Sequence, residues 1–161
     1  MGLLKLEKTI KKPFSAEELE ALRVNCGNLR DRALVEFLYS TGVRVSELVS
    51  LNVGDVEMGR QELIVYGKGS KERKTYLTEG ARFYLKRYLQ TRQKERGEEQ
   101  PLFVTLDKPH NRLTVAGVQY MLRQLGNRSG VKNVHPHRFR RTIATDLLAR
   151  GMKIEEVKEF L

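Results

Sequence analysis

Between residues 62 and 77 the apolar pattern changes period, and that change limits the folds open to this chain. Glu62-Leu-Ile-Val-Tyr66 is rich in β-branched and aromatic residues, Gly67-Lys-Gly-Ser70 is turn chemistry, and Glu72 to Leu77 resumes an extended run. The spacing predicts a β-hairpin with Lys68 at or near its tip. On either side the period is helical. Ser15-Ala-Glu-Glu18 has the pattern of a capping box and predicts a helix to about Cys26. A second helix follows Asn28, with Leu29, Ala33, Leu34, Phe37 and Leu38 on one stripe and Gly42 as a left-handed cap, and a short one runs from Val45 to about Leu51. Beyond the hairpin, Ala81, Tyr84, Leu85, Tyr88 and Leu89 mark an amphipathic helix. Leu102-Phe-Val104 reads as a short buried segment, and Val115, Val118, Leu122 and Leu125 mark a helix ending near Gly126 or Gly130. Pro136 opens another with the stripe Phe139, Ile143 and Leu147, and Ile154, Val157 and Leu161 begin a last one. The fold class expected is mainly α with a small antiparallel β-hairpin, in one domain over residues 15–161. Residues 1–14, closed off by Pro13, read as a linker or leader. Because the last amphipathic pattern is still running at Leu161, that domain is expected to be truncated at its C-terminal end.

Charge narrows the function. Thirty Lys and Arg stand against twenty Asp and Glu, a net charge of +10. Residues 121–150 carry seven cations against the single acid Asp146, a second basic block runs from Arg82 to Arg96, and a third from Lys68 to Lys74. Three such blocks favour a polyanionic partner. No apolar run approaches the ~20 residues of a membrane-spanning helix, and the N-terminus has no signal-peptide core, so a soluble, cytoplasmic protein is expected. The single cysteine, Cys26, excludes an internal disulfide and a cysteine-cluster zinc site.

A reaction on a nucleic-acid backbone would have to rely on side-chain cations. His135-Pro-His137 is too short and isolated to build a zinc site, Gly67-Lys-Gly69 lacks the Walker spacing, and no set of acids is placed to hold two Mg²⁺. Arg44 lies at the mouth of a short helix, where free N–H groups and the helix dipole favour an anion. His137 and Arg140, at i and i+3, share a helix face that points away from Phe139, Ile143 and Leu147. Arg44 and Arg140 can each fork onto the non-bridging oxygens of one phosphate, and Lys68 is placed to donate a proton.

Three stretches in order, Thr41-Gly-Val-Arg-Val-Ser-Glu-Leu48, Gly67-Lys-Gly-Ser-Lys-Glu-Arg73 and Pro136-His-Arg-Phe-Arg-Arg-Thr142, resemble the catalytic domain of the tyrosine recombinases, the phage-integrase and Xer-like family. The resemblance covers residues 15–161. It implies that Arg44 is the first catalytic arginine, Lys68 the hairpin lysine that protonates the leaving 5′-hydroxyl, His137 and Arg140 the His-x-x-Arg pair, and Glu47 the acid that supports Arg44. Lys71, Arg73, Arg138 and Arg141 are then expected DNA contacts. The family reaction needs no metal or nucleotide cofactor: a tyrosine attacks the DNA backbone and conserves the bond as a 3′-phosphotyrosine. The implied partners are double-stranded DNA and other protomers, four on DNA in the intact protein, with this piece a monomer.

Tyrosines 39, 66, 76, 84, 88 and 120 all precede the His-x-x-Arg pair and match no nucleophile position. The family's nucleophile follows that pair by about thirty residues, beyond Leu161, so the chain alone is expected to bind DNA weakly and not to cleave it. Three other readings stay open: a non-catalytic DNA-binding module with Arg138 and Arg141 in the groove, a type IB topoisomerase relative, and a basic structural or RNA-associated protein, which would leave the order of Arg44, Lys68, His137 and Arg140 unexplained.

Overall fold

Ser15 begins the first helix in the manner its pattern implies. Its hydroxyl accepts from the Glu18 N–H at 3.1 Å and the Glu18 carboxylate accepts from the Ser15 N–H at 3.0 Å. The computed structural model describes residues 12–57, 59–67, 71–92 and 97–161. Among them the helices are α1 (Ala16–Val24), α2 (Leu29–Thr41), α3 (Val45–Ser50), α4 (Glu79–Gln90), α5 (Val115–Ser129), α6 (Pro136–Ala149) and α7 (Ile154–Phe160). Strands β1 (Glu62–Tyr66) and β2 (Glu72–Tyr76) form one antiparallel hairpin, with Leu63 opposite Thr75 and Val65 opposite Arg73. The chain is a mainly helical domain with a two-stranded sheet. No helix among the described residues is long and apolar enough to cross a membrane.

The helix α2 forms the centre. Asn28 caps it by accepting from the Asp31 N–H at 2.9 Å, and Gly42 ends it at φ 64°, where a residue without Cβ carries no strain. Ala33, Leu34, Val35, Phe37 and Leu38 are all buried, wider than the stripe that period alone predicts, because α1, α4, α6 and β2 enclose this helix. It carries two buried carboxylates: Asp31 pairs with Arg30 at 2.8 Å, and Glu36 is held between the Nε atoms of Arg23 and Arg32, each at 2.9 Å. A buried charge persists only when paired in this way.

Several cations are internal fasteners and not charge available to a partner. Arg92 sits within the basic block 82–96, yet its guanidinium is buried and donates to the Leu102 and Pro101 carbonyls at 2.6 and 2.8 Å. It thereby pins the buried segment Leu102–Val104 against α4. Arg112 donates to the Val49 and Leu51 carbonyls at 2.8 and 3.0 Å and so fixes the C-terminal end of α3. Asp146, the lone acid of the 121–150 stretch, accepts from the Tyr39 hydroxyl at 2.9 Å and joins α6 to α2.

The expected linker also differs where it is described. Residues 12–14 are docked: the buried Phe14 packs on Phe139 at 4.8 Å between ring centroids, and its N–H donates to the Thr142 hydroxyl at 2.9 Å. Residues 1–11 lie outside the described residues. At the other end Val157 is buried, but Ile154, expected on the same stripe, is exposed.

Candidate active site

Three elements converge where α2 ends. The chain leaves Gly42, turns through Val43 and starts α3 at Arg44, which is the N-cap residue. Arg44 is exposed, and its guanidinium has no partner among the described residues. Its backbone N–H, expected to be free for an anion, is already taken: the Glu47 Oε1 accepts it at 2.7 Å. Glu47 is buried and faces the hairpin, where the same Oε1 accepts from Arg73 Nη2 at 2.5 Å. Gly67 ends the described part of β1 beside this carboxylate; a Cβ there would lie 3.0 Å from Glu47 Oε2. Lys68 lies outside the described residues.

Helix α6 packs behind the end of α2. Pro136 occupies its first turn, as expected, and His137 is exposed next to it. Arg140 departs from expectation. It does not share an open face with His137 but is only 9% exposed, folded onto the end of α2, where Nη1 donates to the Gly42 carbonyl and Nη2 to the Leu161 carbonyl at 2.8 Å. A Cβ at position 42 would lie 2.6 Å from Leu161 Cδ2 and 3.1 Å from Ile143 Cδ1, so the glycine lets both side chains close on the end of α2. Between the hairpin and α7 opens a cleft of about 920 Å³, bordered by Arg44, Glu47, Lys71, Arg73, Lys74 and Phe160.

Electrostatics ties these groups into one cluster. Burial first, then Arg73 and Arg44, push the Arg140 guanidinium down to about 10, against a partial offset from Glu47. His137 is also lowered, by burial first and then by Arg141, Arg140 and Arg44. At neutral pH the imidazole is therefore uncharged while the guanidiniums remain cationic. An arrangement in which cations repel one another at a cleft mouth is relieved by an anion placed among them.

The remaining expected contacts divide. Lys71 is exposed at the start of β2 and Arg141 is half-buried beside His137, neither with a side-chain partner among the described residues. Arg73 and Arg138 point inward. Arg138 donates to the carbonyls of Lys12, Lys132 and Pro13 and to Glu18 Oε1, with its guanidinium 4.2 Å over the Phe14 ring. With its fork so occupied it clamps the N-terminal segment rather than reaching a groove, which removes the main support for a simple groove-reading module. Sequence reasoning missed Tyr66, exposed on β1 and bordering the same hollow as Arg44 and Ser46. It also missed the inward role of Arg73, though the parity of β2 carries the signal: Arg73, Thr75 and Leu77 alternate onto one face.

A helical domain that presents a hairpin and an arginine cluster at one cleft is the architecture of known DNA recombinases. The structure of the XerA recombinase superposes with a TM-score of 0.83 at 29% identity, covering 93% of this chain and 55% of that one. The XerH site-specific recombinase bound to its difH substrate shares the fold, with a TM-score of 0.75 at 23% identity over 96% of this chain and 47% of that one. The model of the phage integrase family matches residues 5–161. Tyrosine recombinase XerC of Staphylococcus epidermidis is 37% identical over 98% of this chain and 55% of its own length, and that of Leptospira interrogans 36% over 98% and 52%. This chain belongs to the phage integrase family, as a tyrosine recombinase domain. It spans about half the length of the curated relatives it matches.

Proposed function

We propose that residues 15–161 are the DNA breaking-and-rejoining core of a site-specific recombinase that works by metal-independent transesterification. What carries the reading is the mutual proximity of Arg44, His137 and Arg140 around the end of α2, with Arg44 bordering the cleft beside the hairpin. In this reaction a tyrosine oxygen attacks the scissile phosphorus, the bond to the 5′-oxygen breaks, and Lys68 gives that oxygen its proton. Arg44 and Arg140 offset the negative charge that builds on the five-coordinate phosphorus, and His137 hydrogen-bonds to a non-bridging oxygen. Attack by the 5′-hydroxyl of another strand then reverses the chemistry and completes the exchange. Lys71 and Arg141 hold flanking phosphates. Double-stranded DNA is the substrate, four protomers assemble on it, and DNA as substrate places the work in the cytoplasm.

The attacking tyrosine comes from outside these 161 residues. Tyr39 is engaged with Asp146, the Tyr88 hydroxyl accepts from the Val104 N–H at 3.2 Å, Tyr76 stacks on Phe160, and Tyr84 lies under the Arg32 guanidinium. Tyr120 stands exposed on α5, Tyr66 borders the hollow beside Arg44, and Tyr76 lines the cleft that Arg44 also borders. The test is a nicked suicide site incubated in EDTA. The intact recombinase should form a covalent 3′-phosphotyrosine adduct and this chain alone none. An adduct formed by this chain and lost in Tyr66→Phe, or a strict need for Mg²⁺, would overturn the proposal.

DNA affinity should also depend on pH through His137. Its lowered pKa means that the free protein resists protonation as pH falls below the ordinary 6.5. A bound phosphodiester replaces cationic repulsion with attraction and raises that pKa, so binding takes up a proton. Affinity is expected to rise from pH 7.5 to pH 6, by at most about tenfold per pH unit for one proton. His137→Gln should flatten the profile, measured by fluorescence anisotropy at constant ionic strength.

A further inference from the structure

We propose that Arg73 is a positioning residue of the cleavage site, acting through Glu47, and not a contact to DNA. The inference deepens the function proposed above and rests on it. Arg73 occupies an inward position of β2 opposite Val65, and its side chain is 14% exposed against 3% for its partner Glu47. Nη2 meets Glu47 Oε1 at 2.5 Å, and Nη1 donates to the Phe160 carbonyl at 2.9 Å. The guanidinium therefore spends its fork on the protein, bridging the hairpin to α3 and to the end of α7.

The consequence lies in what Glu47 holds. Its Oε1 accepts both from Arg73 and from the Arg44 N–H, so the ion pair fixes the residue that begins α3 and the strand that follows the hairpin turn. Its other oxygen, Oε2, is buried without a partner among the described residues and faces Gly67, the residue before Lys68. One carboxylate thus stands between the backbone of Arg44 and Gly67, just past the end of β1. A carboxylate buried this deeply needs a fixed counter-charge to keep its place. Arg73 supplies it, and through it the spacing between a phosphate-binding arginine and the hairpin is held. A lysine at 73 reaches one acceptor and not both.

The test uses the intact recombinase on a nicked suicide site. It compares Arg73→Gln, Arg73→Lys and the double variant Arg73→Gln with Glu47→Gln, and it records the DNA dissociation constant, its salt dependence, the thermal midpoint and the single-turnover cleavage rate at saturating DNA. Arg73→Gln should slow cleavage by about ten- to a hundredfold with affinity within about twofold of the parent and an unchanged salt slope. Arg73→Lys should fall between the two. The double variant relieves the unpaired charge and should recover the thermal midpoint without recovering cleavage, its rate loss no larger than that of the single change, because both act through one link. If Arg73→Gln does not fold, the double variant alone decides: a normal cleavage rate in it overturns the inference. A salt slope reduced by about one also overturns it, since that marks a lost phosphate contact. Failure of the underlying function looks different: the parent forms no adduct, or Arg140→Lys leaves its rate untouched.

Discussion

In the intact recombinase, Arg140→Lys is expected to slow single-turnover strand cleavage by roughly a hundred- to a thousandfold, the cost of losing one preorganised donor at developing charge. DNA affinity should change by less than about threefold, because many phosphate contacts share binding while few groups meet the scissile phosphate. Geometry and charge both lead to this result. Both Nη atoms of Arg140 donate to backbone carbonyls, one to Gly42 and one to Leu161, so the protein fixes where this charge stands. A single ammonium cannot hold both bonds. The charge itself is also at risk. Burial, then Arg73 and Arg44, already brings the guanidinium from its ordinary value down to about 10. A lysine starts about two units lower, so the same surroundings would leave part of it neutral under working conditions. The sign follows: the variant's cleavage should recover as pH is lowered from 9 to 7, over a range where the arginine enzyme keeps its charge. Cleavage at the full parental rate, or a loss matched by an equal loss of affinity, would remove Arg140 from the chemistry.

The parts of this protein that were legible in its sequence are those set by neighbours along the chain. Ser15 with Glu18, Asn28 and Gly42 are local signals that bound α1 and α2, and the structure uses each of them. The switch to period two at Glu62 located the hairpin because alternation onto one buried face, Leu63 and Val65, needs no knowledge of what covers it. Arginines were misread where their partners are backbone carbonyls. Every residue carries a carbonyl, so nothing in the sequence marks Pro101 and Leu102 as the acceptors of Arg92, or Lys12, Pro13 and Lys132 as those of Arg138. A basic block therefore overstates the charge available to a partner. The candidate site was legible as residue types in order, Arg44 then His137 and Arg140, but not as a geometry. That Arg140 is buried against Gly42 depends on the close approach of α6 to the end of α2, a contact across nearly a hundred positions.

That approach depends in turn on one ring, and Phe139→Ala is expected to give the largest loss of stability of any change near the site. Phe139 has no exposed surface and lies on α6 between Arg138 and Arg140. Truncating a fully buried phenylalanine costs about 3–5 kcal/mol from lost transfer energy and the cavity left behind. At about 2–4 °C per kcal/mol for a chain of this size, the thermal midpoint should fall by roughly 6–20 °C. The upper half of that range is expected, because the site is poorly able to collapse. Phe14 fills the adjoining space from a segment held in place by Arg138 and by its own N–H to Thr142. Closing the cavity would break those bonds, and keeping them leaves the void. Amide exchange should accordingly quicken first at Phe14 and Ser15, before the centre of α2 is affected. Ile143→Val on the same helix removes one methylene and should cost only about 0.5–1.5 kcal/mol. The two variants separate packing from chemistry, since neither side chain contacts the cleft. Well below its midpoint Phe139→Ala should still cleave, with a loss far smaller than that of Arg140→Lys. A midpoint within 2–3 °C of the parent would mean that α6 is held by its arginine bonds and not by its apolar face.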